Sequence, residues 1–336
     1  MTLPLKQPYL PMEAKSVEKL PSGDAWQYEP KWDGFRCIAF RDGDKVDLQS
    51  KSGQPLARYF PEVVDALLKL KAKQFVSDGE IVVPVEGKFS FDDLLMRIHP
   101  AASRIKKLSE ETPAKLIVFD LLVDDRGKSL VDLPLKDRRK KLDAFAKKYF
   151  APDSKHKSIE LSPATDDLKI ARHWLAGAGV DLDGVIAKRA DMPYQSGNRH
   201  GMVKVKRLRT ADCVIGGFRY ASEGKVVGSL LLGLYDEKGL LHHVGFSSSF
   251  KANEKPALTK KLEKLIKPPG FTGNAPGGPS RWATERSAEW QPLAPKLVCE
   301  VQYDHFTGGR FRHGTKFLRW RPDKNPEQCL FDQVKR

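Results

Sequence analysis

Lys31 stands two residues before an Asp-Gly turn, in the peptide Glu29-Pro30-Lys31-Trp32-Asp33-Gly34-Phe35-Arg36. Arg36 lies near the start of an alternating, strand-like run. A lysine amine can attack phosphorus only when unprotonated, and its reference pKa is about 10.4. Neighbouring cations and partial desolvation must therefore lower it. Further along, Ser77-Asp78-Gly79-Glu80 places two carboxylates at a strand entrance, and Phe119-Asp120 follows an apolar run. Asp183-Gly184-Val185-Ile186-Ala187-Lys188-Arg189 repeats the order carboxylate, glycine, apolar strand. Lys204 and Lys206 alternate with Val203 and Val205, so both ammonium groups face one side of a strand. Arg321-Pro322-Asp323-Lys324 ends the series.

The elements that must position these residues change character along the chain. Phe35–Phe40 and Val46–Leu48 read as a hairpin around Asp42-Gly43-Asp44. Pro61–Lys71 carries a helical apolar stripe, Phe75–Val76, Ile81–Val85 and Leu116–Val123 read as strands, and Leu135–Phe145 as a basic amphipathic helix. Asp166–Ala176 predicts another helix, ended by Gly177 and Gly179. Beyond about residue 208, Val214–Phe218, Val226–Leu234, Leu240–Phe246 and Leu297–Tyr303 read as strands, with a single helix at Glu254–Lys267. Pro268–Pro279, rich in proline and glycine, predicts an exposed loop. Short strands with one helix suggest a small β-barrel, so two domains are expected, 1–208 and 209–336.

Composition narrows the partners. Among 336 residues, 58 Lys and Arg against 43 Asp and Glu leave a net charge of +15, which favours polyanions. Seventeen Phe, 8 Tyr and 6 Trp could not all stay in water, which excludes wholesale disorder. No apolar run approaches a membrane span, and the N-terminus lacks a signal-peptide pattern, so a cytoplasmic protein is expected. Cys37, Cys213, Cys299 and Cys329 form no C-x-x-C pair and read as reduced, structural thiols.

In their order, these peptides resemble the covalent nucleotidyltransferases: ATP-dependent DNA ligases, RNA ligases and mRNA capping enzymes. Glu29-Pro30-Lys31 and Tyr194-x-x-Gly197-x-Arg199 leading into Lys204-x-Lys206 are most similar to small bacterial repair and end-joining DNA ligases. The resemblance implies an α+β fold: an adenylation domain of antiparallel sheets and helices, followed by an OB-fold barrel. It implies ATP as the source of a covalent AMP on Lys31, and Mg²⁺ or Mn²⁺ at Asp183 and Glu80. Asp33 and the phosphate-contacting Lys204 and Lys206 match catalytic positions. Glu29 matches the adenine-edge position, Arg36 and Glu80 the ribose positions, and Phe119 the stacking aromatic. Arg321, Asp323 and Lys324 match a C-terminal motif that orients pyrophosphate. Lys51 stands where the family carries Arg, a loss of bidentate contact that Arg58 could compensate. Asp183 replaces the usual Glu, and Met202 a frequent Trp. Arg58, Arg199, Arg207 and Arg209 are the cations expected on DNA. The implied partners are nicked or broken duplex DNA and a bacterial Ku-type protein, with the enzyme a monomer. An RNA ligase, a capping-type enzyme or an inert DNA-binding ligase fold are the alternatives.

Overall fold

The computed structural model describes residues 3–150, 158–177, 182–277 and 289–334. Gly179 and the last two positions of the proline-rich loop fall outside these residues. The chain forms two compact units, Met1–Arg207 and Leu208–Arg336.

The first unit runs β1 (Lys15–Ser16), β2 (Trp26–Lys31), β3 (Phe35–Asp42), β4 (Lys45–Ser50), α1 (Pro61–Lys69), β5 (Gln74–Val82), β6 (Pro84–Val85), β7 (Lys88–Phe89), α2 (Phe91–Met96), α3 (Ala102–Glu111), β8 (Lys115–Val123), α4 (Leu135–Tyr149), β9 (Ile159–Leu161), α5 (Leu168–Ala176), β10 (Gly184–Arg189) and β11 (Met202–Lys206). Two large sheets, ordered β4-β3-β5-β8-β9 and β1-β11-β10-β2, and the two-stranded β6-β7 result among the described residues.

Alternation in β3 shows why the first sheet is apolar on both sides. Cys37 and Ala39 join the core that contains Val63 and Leu67 of α1 and Leu142 of α4. Ile38 and Phe40 join a second core with Met12, Tyr194 and Met202. Arg36 shares the parity of Ile38, and Asp78 and Glu80 that of Val76, so all three point to this second side. Gly34 allows the turn before β3 to press against β5: a Cβ there would lie 2.2 Å from the Ile81 carbonyl oxygen.

The strands expected at Phe75–Val76 and Ile81–Val85 are largely one strand, β5, continuous through Ser77-Asp78-Gly79-Glu80. The polar interruption is not a break, because Ser77 and Asp78 are buried and each β5 residue from Gln74 to Ile81 finds a partner on β3. Helices α2 and α3 carry no strong sequence signal, since only Leu94 and Ile105 on them are buried.

The second unit runs β12 (Arg209–Tyr220), β13 (Val227–Tyr235), β14 (Leu241–Ser247), α6 (Lys255–Glu263), β15 (Gln291–Pro292), β16 (Val298–Tyr303), β17 (Phe306–Thr307), β18 (Arg310–Phe311) and β19 (Lys316–Trp320). Its sheet order, β14-β13-β12-β16-β19, is drawn together at the edges by a bridge between Ser247 and Thr315. This is the OB-fold barrel, filled by residues such as Val214, Phe218, Leu232 and Val301. Strand β12 extends well beyond Val214–Phe218, because an irregularity between Ile215 and Gly217 lets one strand pair with β13, β15 and β16. All four cysteines are buried free thiols.

Candidate active site

Strand register assembles the site. Between β2, β10 and β11, Lys31 pairs with Gly184 and Gly184 with Lys206; Glu29 pairs with Ile186 and Ile186 with Lys204; Gln27 pairs with Lys188 and Lys188 with Met202. Directly opposed residues share a sheet face, so these three rows lie side by side. The other face is apolar: Tyr28, Val185 and Ala187 pack on Ala171 of α5. Gly184 is required at its place, since it adopts φ +148° and a Cβ would meet the Val205 carbonyl at 2.1 Å.

The rows form one wall of a pocket of about 230 Å³. Arg36, Glu80 and Phe119 from the other sheet form the opposing wall, and Pro11–Ala14 a third. Lys31, the last residue of β2, ion-pairs through Nζ with the buried carboxylate of Asp183. At the far side of Ile186, the buried Glu29 accepts from Lys188 Nζ at 2.6 Å and from Gln27 Nε2 at 2.7 Å. Lys188 Nζ lies 4.5 Å from the Phe119 ring centroid, and the Arg36 guanidinium 4.7 Å. An aromatic ring with two cations at its surface presents a flat floor for a heterocycle.

A lowered amine pKa is found at Lys204. Burial lowers it first, followed by the charges of Lys31, Lys206 and Lys51. Lys31 Nζ is held by the Asp183 carboxylate.

Burial raises Glu80 from 4.5 to about 7, against the opposing charges of Arg36 and Lys31. The fold thus binds this proton more tightly than the unfolded chain does. Its contribution to stability is present below about pH 4.5 and is lost as the pH rises to about 7. Glu80→Gln should remove that dependence. Urea unfolding at pH 5 and pH 8 should show the variant gaining on the parent at the higher pH, whereas an unchanged difference would contradict the assignment.

A model of the ATP dependent DNA ligase domain matches residues 8–206, and one of the ATP dependent DNA ligase C terminal region matches residues 223–324. The chain belongs to the ATP-dependent DNA ligases. DNA ligase C1 of Mycolicibacterium smegmatis is 46% identical over 346 residues, which cover 99% of this chain and 96% of that protein. The multifunctional non-homologous end joining DNA repair protein LigD of Mycobacterium tuberculosis is 30% identical over 310 residues, covering 91% of this ligase but 37% of LigD. A solved Lig E DNA ligase shares the fold, at 15% identity and a TM-score of 0.52 over 92% of this chain and 100% of that one.

Of the residues singled out in the ligase sequence, Glu29, Lys31, Arg36, Lys51, Glu80, Phe119 and Lys204 line the pocket, and Asp183 touches Lys31. Lys206 ends the first row, and Asp33 sits in the turn ahead of Gly34. Arg58 does not join Lys51 at the pocket; its guanidinium donates to the Pro100 carbonyl at 2.8 Å and lies over Tyr59. Lys51 and Arg199 share Glu13, at 3.1 and 3.2 Å. The Arg207 amide donates to the Asp183 carbonyl at 2.9 Å, and Arg209 opens β12 opposite Tyr303. In the second unit, Arg321 and Lys324 both bind Asp212, at 2.9 and 3.0 Å, and Arg321 also holds Asp323 at 2.8 Å.

Sequence reasoning gave no role to Lys188, Asp78, Tyr194 or Glu13. For Lys188 a signal existed: it lies four residues after Gly184 on a strand, hence on the face of the Lys31 row. The N-terminal segment offered none, because the partners that hold it, Tyr194 and Asn198 on its main chain and Lys51 and Arg199 on the Glu13 carboxylate, are distant in sequence.

Among the described residues no helix is long and apolar enough to cross a membrane.

Proposed function

We propose that this DNA ligase seals 5′-phosphate/3′-hydroxyl nicks or breaks in duplex DNA through an AMP carried on Lys31. The observation that carries the reading is one pocket with Lys31 at one end and the buried Glu29–Lys188 pair beside Phe119 at the other. The spacing suits a nucleotide whose base lies on Phe119, with its polar edge read by Glu29 and Lys188. Arg36 and Glu80 then face the ribose, while Lys31, Lys204 and Lys206 surround the α-phosphate.

Lys31 Nζ forms the bond to the α-phosphorus, and the pyrophosphate leaves with the electron pair of the broken P–O bond. The DNA 5′-phosphate oxygen next displaces Lys31 from that phosphorus, and the 3′-hydroxyl finally displaces AMP. Each step is a displacement at phosphorus, so placement and charge neutralisation dominate. Asp33 orders the turn after the nucleophile, Lys51 meets phosphate, and Arg321, Asp323 and Lys324 steer pyrophosphate. Asp183 and Glu80 offer carboxylate oxygens, a hard donor set that fits Mg²⁺ or Mn²⁺ once phosphate oxygens complete the shell. Such an ion, when bound, neutralises phosphate charge.

In this reading residues 1–208 are the adenylation domain and 209–336 the OB-fold domain. Arg58, Arg199, Arg207 and Arg209 meet DNA phosphates, the enzyme acts as a cytoplasmic monomer at the nucleoid, and kinship with LigD favours end joining beside a Ku-type partner. The test is covalent labelling with α-labelled ATP and GTP in parallel. Labelling by ATP is expected; labelling by GTP alone would replace this reading with a capping-type activity, and no labelling would leave an inert fold.

A further inference from the structure

Behind the wall that carries Arg36 lies a closed hydrogen-bonded circuit that the reaction scheme leaves unused. Tyr194 is buried and does not line the pocket. Its hydroxyl donates to Asp78 Oδ2 at 2.6 Å and accepts the Met12 N–H at 2.9 Å. Asp78, wholly buried, also takes Arg36 Nε and Nη2, each at 2.6 Å. Arg36 Nη2 then returns to the Met12 carbonyl at 3.1 Å. Met12 is thus held at both main-chain polar groups, one by the tyrosine and one by the arginine. Arg36 Nη1 takes no hydrogen bond among the described residues, which leaves it for a ligand.

The phenol ring is fixed independently of its hydroxyl. The Arg138 guanidinium lies 5.6 Å from its centroid and Tyr9 stacks at 6.2 Å. Burial and the neighbouring Asp78 push the Tyr194 hydroxyl well above its ordinary value, so it stays a donor at working pH.

We infer that Tyr194 is a positioning residue: through Asp78 it fixes the Arg36 guanidinium, and through Met12 the adjoining pocket wall, and so sets the preference for a ribose over a deoxyribose. The inference rests on the reading that Arg36 meets the ribose. Removing the hydroxyl leaves the Met12 N–H unsatisfied and Asp78 one donor short, and the guanidinium gains freedom to swing. A mobile Arg36 binds the nucleotide sugar less well but leaves attack by Lys31 unchanged.

The experiment compares the full-length parent, Tyr194→Phe and Arg36→Ala in self-adenylation with ATP, 2′-deoxyATP and 3′-deoxyATP. For Tyr194→Phe the half-saturating ATP concentration should rise roughly tenfold, the scale of a lost hydrogen bond to a charged group. The saturating rate should hold within about twofold, as expected for a loss of ground-state binding. The deoxynucleotide that Arg36→Ala no longer discriminates should bind Tyr194→Phe as it binds the parent. An unaltered preference, or a parallel rise for all three nucleotides with a fall in melting temperature, would overturn the inference. If Arg36→Ala itself keeps the preference, the ribose reading fails instead. Replacement of Tyr194 by 3-fluorotyrosine keeps both hydrogen bonds and should keep the parent's preference; losing it would count against the circuit.

Discussion

Lys31→Ala, incubated with α-labelled ATP, is expected to yield no labelled protein, while its circular dichroism stays that of the parent and its melting temperature falls only by the loss of the Asp183 ion pair. Lys31 is a strand-terminal residue whose main-chain pairing with β10 does not depend on its side chain. What the substitution removes is a pocket amine that ion-pairs with Asp183. Lys206 lies in the row of Lys31 and Lys204 in the row of Glu29, both on a different strand, so neither amine occupies the place of Lys31. The effect should be complete loss of adduct and of nick sealing, with sealing of pre-adenylated DNA partly retained. Peptide mapping of the ATP-treated parent is the companion measurement. A modified residue other than Lys31, or a normal adduct yield in the variant, would remove the nucleophile from its assigned place.

The second large effect is on stability. Asp120 and Arg138 are both almost fully buried and meet bidentately, at 2.9 Å for Nε and 2.9 Å for Nη2. Arg138 Nη1 also donates to the Leu133 carbonyl at 2.6 Å. Asp120→Ala strands a guanidinium inside the first unit, and breaking a buried pair from one side costs about 3–5 kcal/mol. The urea midpoint of the first unit should fall accordingly, with the second unit's transition unmoved. A loss under about 1 kcal/mol would mean that water reaches Arg138 and that the pair is not buried in solution. Replacing both partners by apolar residues should recover much of the loss, since the penalty lies in the orphaned charge.

Much of this architecture is readable from residues alone, and the exceptions have physical causes. The hairpin β3–β4, helices α1, α4 and α5, and strand β8 appear where apolar periodicity places them, because each packs an apolar face; on α5, which buries only Ala171, the partly buried Leu168, Trp174 and Leu175 complete it. β5 was obscured because its middle, Ser77-Asp78-Gly79-Glu80, is polar yet buried: the residues that serve the pocket are the ones that break the apolar signal. α2 and α3 bury one side chain each and so leave almost no stripe. In the site, Lys31, Glu29, Arg36, Glu80 and Phe119 were legible through motif order. Lys188 and Tyr194 lie within motifs, but their partners, Glu29 and Asp78, are distant in sequence, and only folding shows the pairing. Arg58 illustrates the opposite error. Nearness to Lys51 in sequence suggested a shared task, but the short helical turn at Ala57–Tyr59 directs its guanidinium to Pro100.

The three rows across β2, β10 and β11 carry a consequence for biosynthesis. Each row draws on a segment near the start of the unit and on two near its end. A ribosome that has delivered Lys31 has not yet delivered the strands that surround it. The emerging polypeptide therefore holds an inert lysine throughout most of its synthesis, and the capacity to consume nucleotide appears only once Met202–Lys206 has cleared the exit tunnel and paired.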